Sequence, residues 1–266
     1  NILPDTTLTS PVGGELLSGT NTITWSTTEI NKATVLLEIS ADGGSNYSTI
    51  ATVTDTGSYD YNFNSQDNGA NYRIRVTPTD GAGNVGLASA SPGSFVIDKA
   101  QPVIALTSPT GGQYWNGTEQ ITWMTTDANP STVLIEVSDD GGTSYSTLVA
   151  AAPDTGTFSF DTTGRNGANF KVRVTPTDLA GNVGTAQAST ASFTIDNIVP
   201  VIALTSPLGG QHWKGTQQIT WSTTDANPGT VLIEVSDDSG VSFTTLQAVV
   251  PDTGSYAFDT TGRNGA

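Results

Sequence analysis

The chain has 266 residues, no cysteine, and 25 acidic against nine basic residues, a formal charge of −16. Such an acid excess repels nucleic acid and anionic lipid and favours divalent cations, and the absence of cysteine excludes disulfides and thiolate chemistry. Hydrophobic residues make up only 35%, and Gly, Thr, Ser, Asn and Asp are plentiful, as expected of short strands joined by polar turns.

In chain order the first signal is repetition. Thr9-Ser10-Pro11 returns as Thr107-Ser108-Pro109 and Thr205-Ser206-Pro207. Ile-Thr-Trp ends at Trp25, Trp123 and Trp221, a step of 98 residues each time. The second and third copies align without gaps as far as Ala266, whereas the first has one residue fewer before Asp55-Thr56-Gly57 and one more before Asn71. A period of this length is that of an independent sandwich domain and too long for a solenoid or propeller blade. The expected division is 1–98, 99–196 and 197–266, with the third repeat incomplete and its last two strands supplied by continuation of the chain or by another chain.

Repeat two gives the strands. Ile121 and Trp123 share a face in Gln120–Thr125. Val133, Ile135 and Val137 alternate with Leu134 and Glu136, Phe158 and Phe160 flank Ser159, Phe170, Val172 and Val174 alternate with Lys171, Arg173 and Thr175, and Phe193 and Ile195 close the set. Period-two alternation between Gly-, Pro-, Asn- and Asp-rich turns predicts strands. Seven are expected: near Val103, then 120–125, 132–138, 144–149, 157–161, 169–176 and 190–196. The predicted fold is all-β, tandem seven-stranded sandwiches whose cores centre on Trp25, Trp123 and Trp221, with Tyr72 and Phe170 packed on the sixth strand.

A tryptophan on the second strand, and Ala70-Asn71-Tyr72-Arg73-Ile74-Arg75-Val76 leading into Gly81-Ala82-Gly83-Asn84, resemble fibronectin type III domains. Phe95-Val96-Ile97-Asp98 followed by Pro102 resembles the seam between bacterial Ig-like repeats of large surface adhesins. The resemblance implies a non-catalytic, extracellular, cell-surface array of prokaryotic origin, the shaft of an adhesin or filament, with calcium stiffening the linkers. Its partners would be neighbouring repeats or like subunits, together with a glycan or cell-surface target. Phe170 stands where repeat one has Tyr72, so a tyrosine hydroxyl bond is not general and the position reads as core packing.

Two motifs carry local chemistry. Ser-x-Asp-x-Gly-x-x-aromatic occurs at Ser40, Asp42, Gly44, Tyr47, at Ser138, Asp140, Gly142, Tyr145 and at Ser236, Asp238, Gly240, Phe243. It resembles the Asp-box of sialidases and related proteins, and its chemistry is a turn: the short carboxylate accepts local N–H groups while glycine takes a positive φ. The second is a set of hard oxygen donors. In a seven-stranded sandwich the second-to-third and sixth-to-seventh loops share the pole that the preceding repeat approaches. Asp98 is therefore expected near Asp127, Asn129, Asp178 and Asn182, and Asp196 near Asp225 and Asn227. Oxygen donors converging from several loops suit calcium. They equally serve to cap turns, and repeat one carries Glu29 and Asn31 in the corresponding loop.

Other chemistry is thin. His212 is the one histidine and matches Tyr114 in repeat two, so transition-metal and Cys/His nucleophile systems are excluded and no enzyme is expected. Tyr114-Trp115 and His212-Trp213 can stack on sugars, which keeps a carbohydrate-binding accessory module as the alternative, but Leu16-Leu17 at the same place points to packing. A filament subunit completed by strand exchange is the other alternative. Lys32, Lys171 and Lys214 fall at unrelated repeat positions, so no repeat-wide lysine cross-link is expected. Asn46-Tyr47-Ser48 and Asn116-Gly117-Thr118 are glycosylation sequons. No apolar run is long enough to span a membrane.

Overall fold

A computed structural model describes residues 3–263. The first repeat contributes β1 (Asp5–Ser10), β2 (Leu16–Leu17), β3 (Thr20–Thr28), β4 (Lys32–Ser40), β5 (Ser48–Thr54), β6 (Ser58–Asn62), β7 (Gly69–Asp80), β8 (Ser89–Ala90) and β9 (Phe95–Ile97). The second contributes β10 (Val103–Ser108), β11 (Tyr114–Trp115), β12 (Thr118–Thr126), β13 (Pro130–Ser138), β14 (Ser146–Pro153), β15 (Thr157–Asp161), β16 (Gly167–Asp178), β17 (Gln187–Ala188) and β18 (Phe193–Ile195). The third contributes β19 (Val201–Ser206), β20 (Thr216–Thr224), β21 (Thr230–Val235), β22 (Thr244–Pro251) and β23 (Ser255–Asp259).

Two sheets recur. One has three strands, in the order β1-β3-β6, β10-β12-β15 and β19-β20-β23. The other runs β2-β9-β7-β4-β5 in the first repeat and β11-β18-β16-β13-β14 in the second, with β8 and β17 added on β7 and β16. This is a two-sheet β-sandwich. The two-residue strands β2 and β11 are unexpected. They lie in what reads as the loop between the first two strands, and pair in parallel with the last one, Trp115 opposite Ile195 and Leu17 opposite Ile97. A two-residue contact carries no periodicity, so the sequence could not show it. Cα packing groups the chain into two compact units. One holds the first repeat and most of the second, and the other holds 114–118, 161–167 and 194–266.

Alternation sets the cores. Val35, Leu37, Ile39, Ile74, Val76, Phe95 and Ile97 face Ile23 and Trp25 in the first repeat, and Val133, Ile135, Val137, Val172 and Val174 do the same with Ile121 and Trp123 in the second. The extra residue of repeat one is absorbed by a 3-10 turn at Phe63–Ser65, which drops Phe63 into the core edge-on to Phe95. In repeat two Phe160 is the buried aromatic instead. Tyr72 is buried, as core packing requires, and its hydroxyl also donates to the Asp67 carbonyl at 2.8 Å. Repeat one thus has the tyrosine bond that Phe170 cannot make.

The core tryptophan makes the same contact in all three repeats. The indole N–H of Trp25, Trp123 and Trp221 donates to Asp55, Asp154 and Asp252 at 2.7, 2.6 and 2.6 Å. These aspartates open the recurring Asp-Thr-Gly. Each glycine carbonyl accepts the main-chain N–H of the same tryptophan at 3.0 Å. Gly156 has φ +83, and a Cβ there would lie 3.2 Å from the Trp123 carbonyl, so the sequence needs glycine. A charge-assisted bond to a buried donor contributes about 1.5–3 kcal/mol. Trp123→Phe, which keeps a ring and deletes the donor, is therefore expected to destabilise the second repeat by about that amount in urea unfolding, and Trp123→Ala by about 3–5 kcal/mol.

Candidate metal centre

The first repeat junction is built from both sides. β9 ends at Ile97, and the Asp98 N–H donates to the Leu17 carbonyl at 3.0 Å, which fixes the carboxylate at the end of repeat one. The next residue, Lys99, donates its main-chain N–H to Asn68 Oδ1 at 3.0 Å and turns its ammonium to the Gln66 carbonyl. On the other side, Pro102 runs against Gly184. A Cβ at Gly184 would lie 2.0 Å from the Pro102 oxygen, so only glycine lets the linker pass. Ser18 donates to the Ala180 carbonyl at 2.8 Å, a further bond from repeat one to the β16–β17 loop.

Between these anchors the carboxylates of Asp98, Asp127 and Asp178 come together, with ligand oxygens within 4.8 Å of one another. Asp98 and Asp178 are buried and Asp127 is half-buried. Asn129 Nδ2 donates to Asp98 Oδ2 at 3.2 Å, and Asn182 Nδ2 donates to Asp178 Oδ2 at 2.7 Å and to the Asp98 carbonyl at 2.8 Å. Main-chain N–H groups orient the acids: that of Asn129 meets Asp127 Oδ1 at 2.7 Å and that of Asn182 meets Asp178 Oδ1 at 2.8 Å. All five residues expected at this junction thus share one site. Three carboxylates this close and this dry repel one another, and the two amides answer that with only partial charges. Every donor is a hard oxygen, from carboxylates, amides or the Asp98 carbonyl. The set can hold a metal ion, and its chemistry fits calcium or magnesium rather than zinc.

The second junction is related but not equal. Asn227 Nδ2 donates to Asp196 Oδ2 at 2.7 Å, and the Asn227 N–H to Asp225 Oδ1 at 2.7 Å. Asn197 straps the linker by donating to the Thr162 and Arg165 carbonyls, both at 2.8 Å. Beside Asp196 lies a hollow of about 730 Å³ lined by Tyr114, Ile198, Asp225 and Asn227. In the first repeat Asp80 has the Asp178 role: the Asn84 side chain, then its main-chain N–H, hold its carboxyl below the usual range.

The Asp-box turns are structural in all three copies. Ser138 donates to Asp140 Oδ1 at 2.7 Å and accepts the Gly142 N–H at 2.8 Å, and Ser40 and Ser236 repeat this with Asp42, Gly44, Asp238 and Gly240. The aromatic packs on an arginine: Arg75 lies 4.0 Å from the Tyr47 ring centre and Arg173 lies 4.1 Å from that of Tyr145. Of the candidate sugar platforms, Trp115 is buried and Trp213 half-buried beside Phe258, while Tyr114 and His212 are exposed.

No family model matches this sequence, and no curated protein does. Among solved structures, the fibronectin(III)-like modules of CbhA from Clostridium thermocellum align over 73% of this chain and 94% of theirs, with 17% identity and a TM-score of 0.44. The FN1–FN3 domains of chicken CNTN1 align over 73% of this chain and 67% of theirs, with 14% identity and a TM-score of 0.43. Dimeric latent PorU from Porphyromonas gingivalis aligns over 99% of this chain and 31% of its own, with 14% identity and a TM-score of 0.25.

The Asp-box carboxyls set an acid limit. Main-chain and side-chain bonds from Asn46, then Ser40, lower Asp42 to about 2, and Ser242, then Ser236, lower Asp238 to about 2. Ser144, then Ser138, place Asp140 below the usual carboxylate range. A carboxyl depressed on folding contributes stability that is present above its unfolded value near 3.8 and is lost as pH falls through the folded value. Stability should therefore fall between about pH 4 and pH 2, and Asp42→Asn should flatten part of that slope in acid titrations followed by circular dichroism.

Proposed function

We propose that this chain is a repetitive, non-catalytic structural segment of an extracellular surface protein, the shaft of a prokaryotic adhesin or filament, whose repeat junctions are made rigid by calcium. The observation that carries the reading is the meeting of Asp98, from the end of one repeat, with Asp127 and Asp178, from two loops of the next, all within 4.8 Å. A divalent cation there neutralises three buried or half-buried charges and ties two sandwiches whose link is otherwise a few hydrogen bonds. Asp98 serves as the ligand from the preceding repeat, Asp127 and Asp178 as the receiving carboxylates, and Asn129 and Asn182 as amide ligands after their side chains turn Oδ1 inward. The Asp98 carbonyl offers a further oxygen. The strap from Lys99 to Asn68 and Gln66 keeps Asp98 from following the cation away from repeat one. Neighbouring repeats and like subunits are the partners this reading implies, with the binding target carried elsewhere.

The chain has no native cysteine, so a spin-label pair at Ser26→Cys and Ser159→Cys reports the first two repeats alone. Calcium is expected to narrow the distance distribution and raise the melting temperature, and chelator to reverse both. At calcium a hundredfold above Kd the gain would be about 2.7 kcal/mol. Asp98→Ala with Asp127→Ala should abolish the response while leaving each repeat folded. Equal melts and equal distributions with calcium and chelator would refute the metal reading, leaving direct packing as the source of any rigidity.

A further inference from the structure

Beside the Asp-box turn of repeat one lies a groove of about 300 Å³, bordered by Asp42, Asn46, Ser48, Thr49, Tyr61 and Gln66. Its aromatic wall comes from a difference between repeats. Phe63 and Thr162 hold matching places, since their main-chain N–H groups donate to the Gly19 and Gly117 carbonyls at 2.8 Å, so Tyr61 matches Phe160. Phe160 is a buried core ring. In repeat one Phe63 is the core ring instead, and Tyr61 stands half-buried at its margin, edge-on with the ring centres 4.9 Å apart. The Tyr61 hydroxyl is fixed by Gln66 Nε2 at 2.6 Å and Ser65 Oγ at 2.9 Å. Asn46 Nδ2 is committed to Asp42 Oδ2 at 2.7 Å. Asn46 Oδ1, Gln66 Oε1 and the Ser48 and Thr49 hydroxyls are left with no partner among the described residues.

We propose that this groove binds a neutral pyranose sugar. The Tyr61 ring meets the C–H face of the sugar, and the unpartnered amide oxygens and hydroxyls take its hydroxyl groups. The Asp42 carboxylate, in a chain of charge −16, turns away acidic sugars and phosphates. The volume lies at the small end of the range for ligand pockets, about 300–1,000 Å³, and suits a mono- or disaccharide. A half-buried ring and a few hydroxyl bonds made in water give weak binding, with a Kd on the order of 1 mM. The inference is independent of the metal reading, since no junction carboxylate takes part and every wall of the groove lies inside repeat one.

The test is a titration of the full, isotope-labelled chain with the methyl glycosides of glucose, galactose, mannose and N-acetylglucosamine, followed by amide NMR shifts. At least one glycoside is expected to move the amides of Asn46, Thr49 and Gln66 along a single saturating curve. The amide of Ser144, the counterpart of Asn46 in repeat two, should stay in place. Tyr61→Leu should weaken binding about tenfold, and Thr49→Val, at an exposed position, about three- to tenfold. If circular dichroism shows that Tyr61→Leu loses the fold, Thr49→Val decides. Asp98→Ala with Asp127→Ala should bind as tightly as the parent chain, which separates this site from the junction. No saturable shift with any of the four glycosides up to about 50 mM, far above a millimolar Kd, or an affinity indifferent to Thr49→Val, would overturn the proposal.

Discussion

The bond on which each sandwich depends is the one from a buried indole to the aspartate of Asp-Thr-Gly. The tryptophan lies on the central strand of the three-stranded sheet. The aspartate leaves the edge of the other sheet, and its main-chain N–H is held at 3.0–3.1 Å by the carbonyl of Ala33, Ser131 or Gly229, at the start of the third long strand. One residue therefore ties both sheets where the chain crosses between them. The glycine two positions on then delivers the chain to the edge of the tryptophan's sheet. Burial of the ring supplies the apolar term, and the carboxylate satisfies the one polar group the ring brings inside.

That constraint places everything at the poles. Once the strands are fixed about the tryptophan, the loops after β12 and β16 share one end of the second sandwich, and β9 of the first ends facing them. The junction acids are then brought within 4.8 Å of one another by the fold, although 29 and 51 residues of sequence separate Asp98 from Asp127 and Asp127 from Asp178. Their closeness is unfavourable in itself, and two amides and several main-chain N–H groups are spent on it. A cation bound there would offset that repulsion, which is the physical ground for the proposed rigid junction.

The second and third repeats offer a comparison within one chain. Nearly the same side chains line both sandwiches: Trp123 and Ile135 are buried in the second, and Trp221 and Ile233 in the third.

Much was legible in the sequence because the relevant physics is local. Alternation fixed the long strands and their inward residues, since side chains on a strand point to opposite faces in turn. Ser-x-Asp-x-Gly determined its own turns, since donor and acceptor lie within four residues. The 98-residue step placed equivalent positions together, and sandwich topology was enough to expect Asp98 near Asp127 and Asp178. The indole–carboxylate tie was not read, although Trp and Asp-Thr-Gly recur in step: the partners lie about 30 residues apart and nothing local marks them as a pair. Nor were the two-residue strands β2 and β11, the straps at Lys99 and Asn197, or the hydroxyl bond of Tyr72, since Phe170 at the matching position shows only that such a bond is not general. Each depends on where a distant backbone carbonyl falls, and only the closed sandwich decides that.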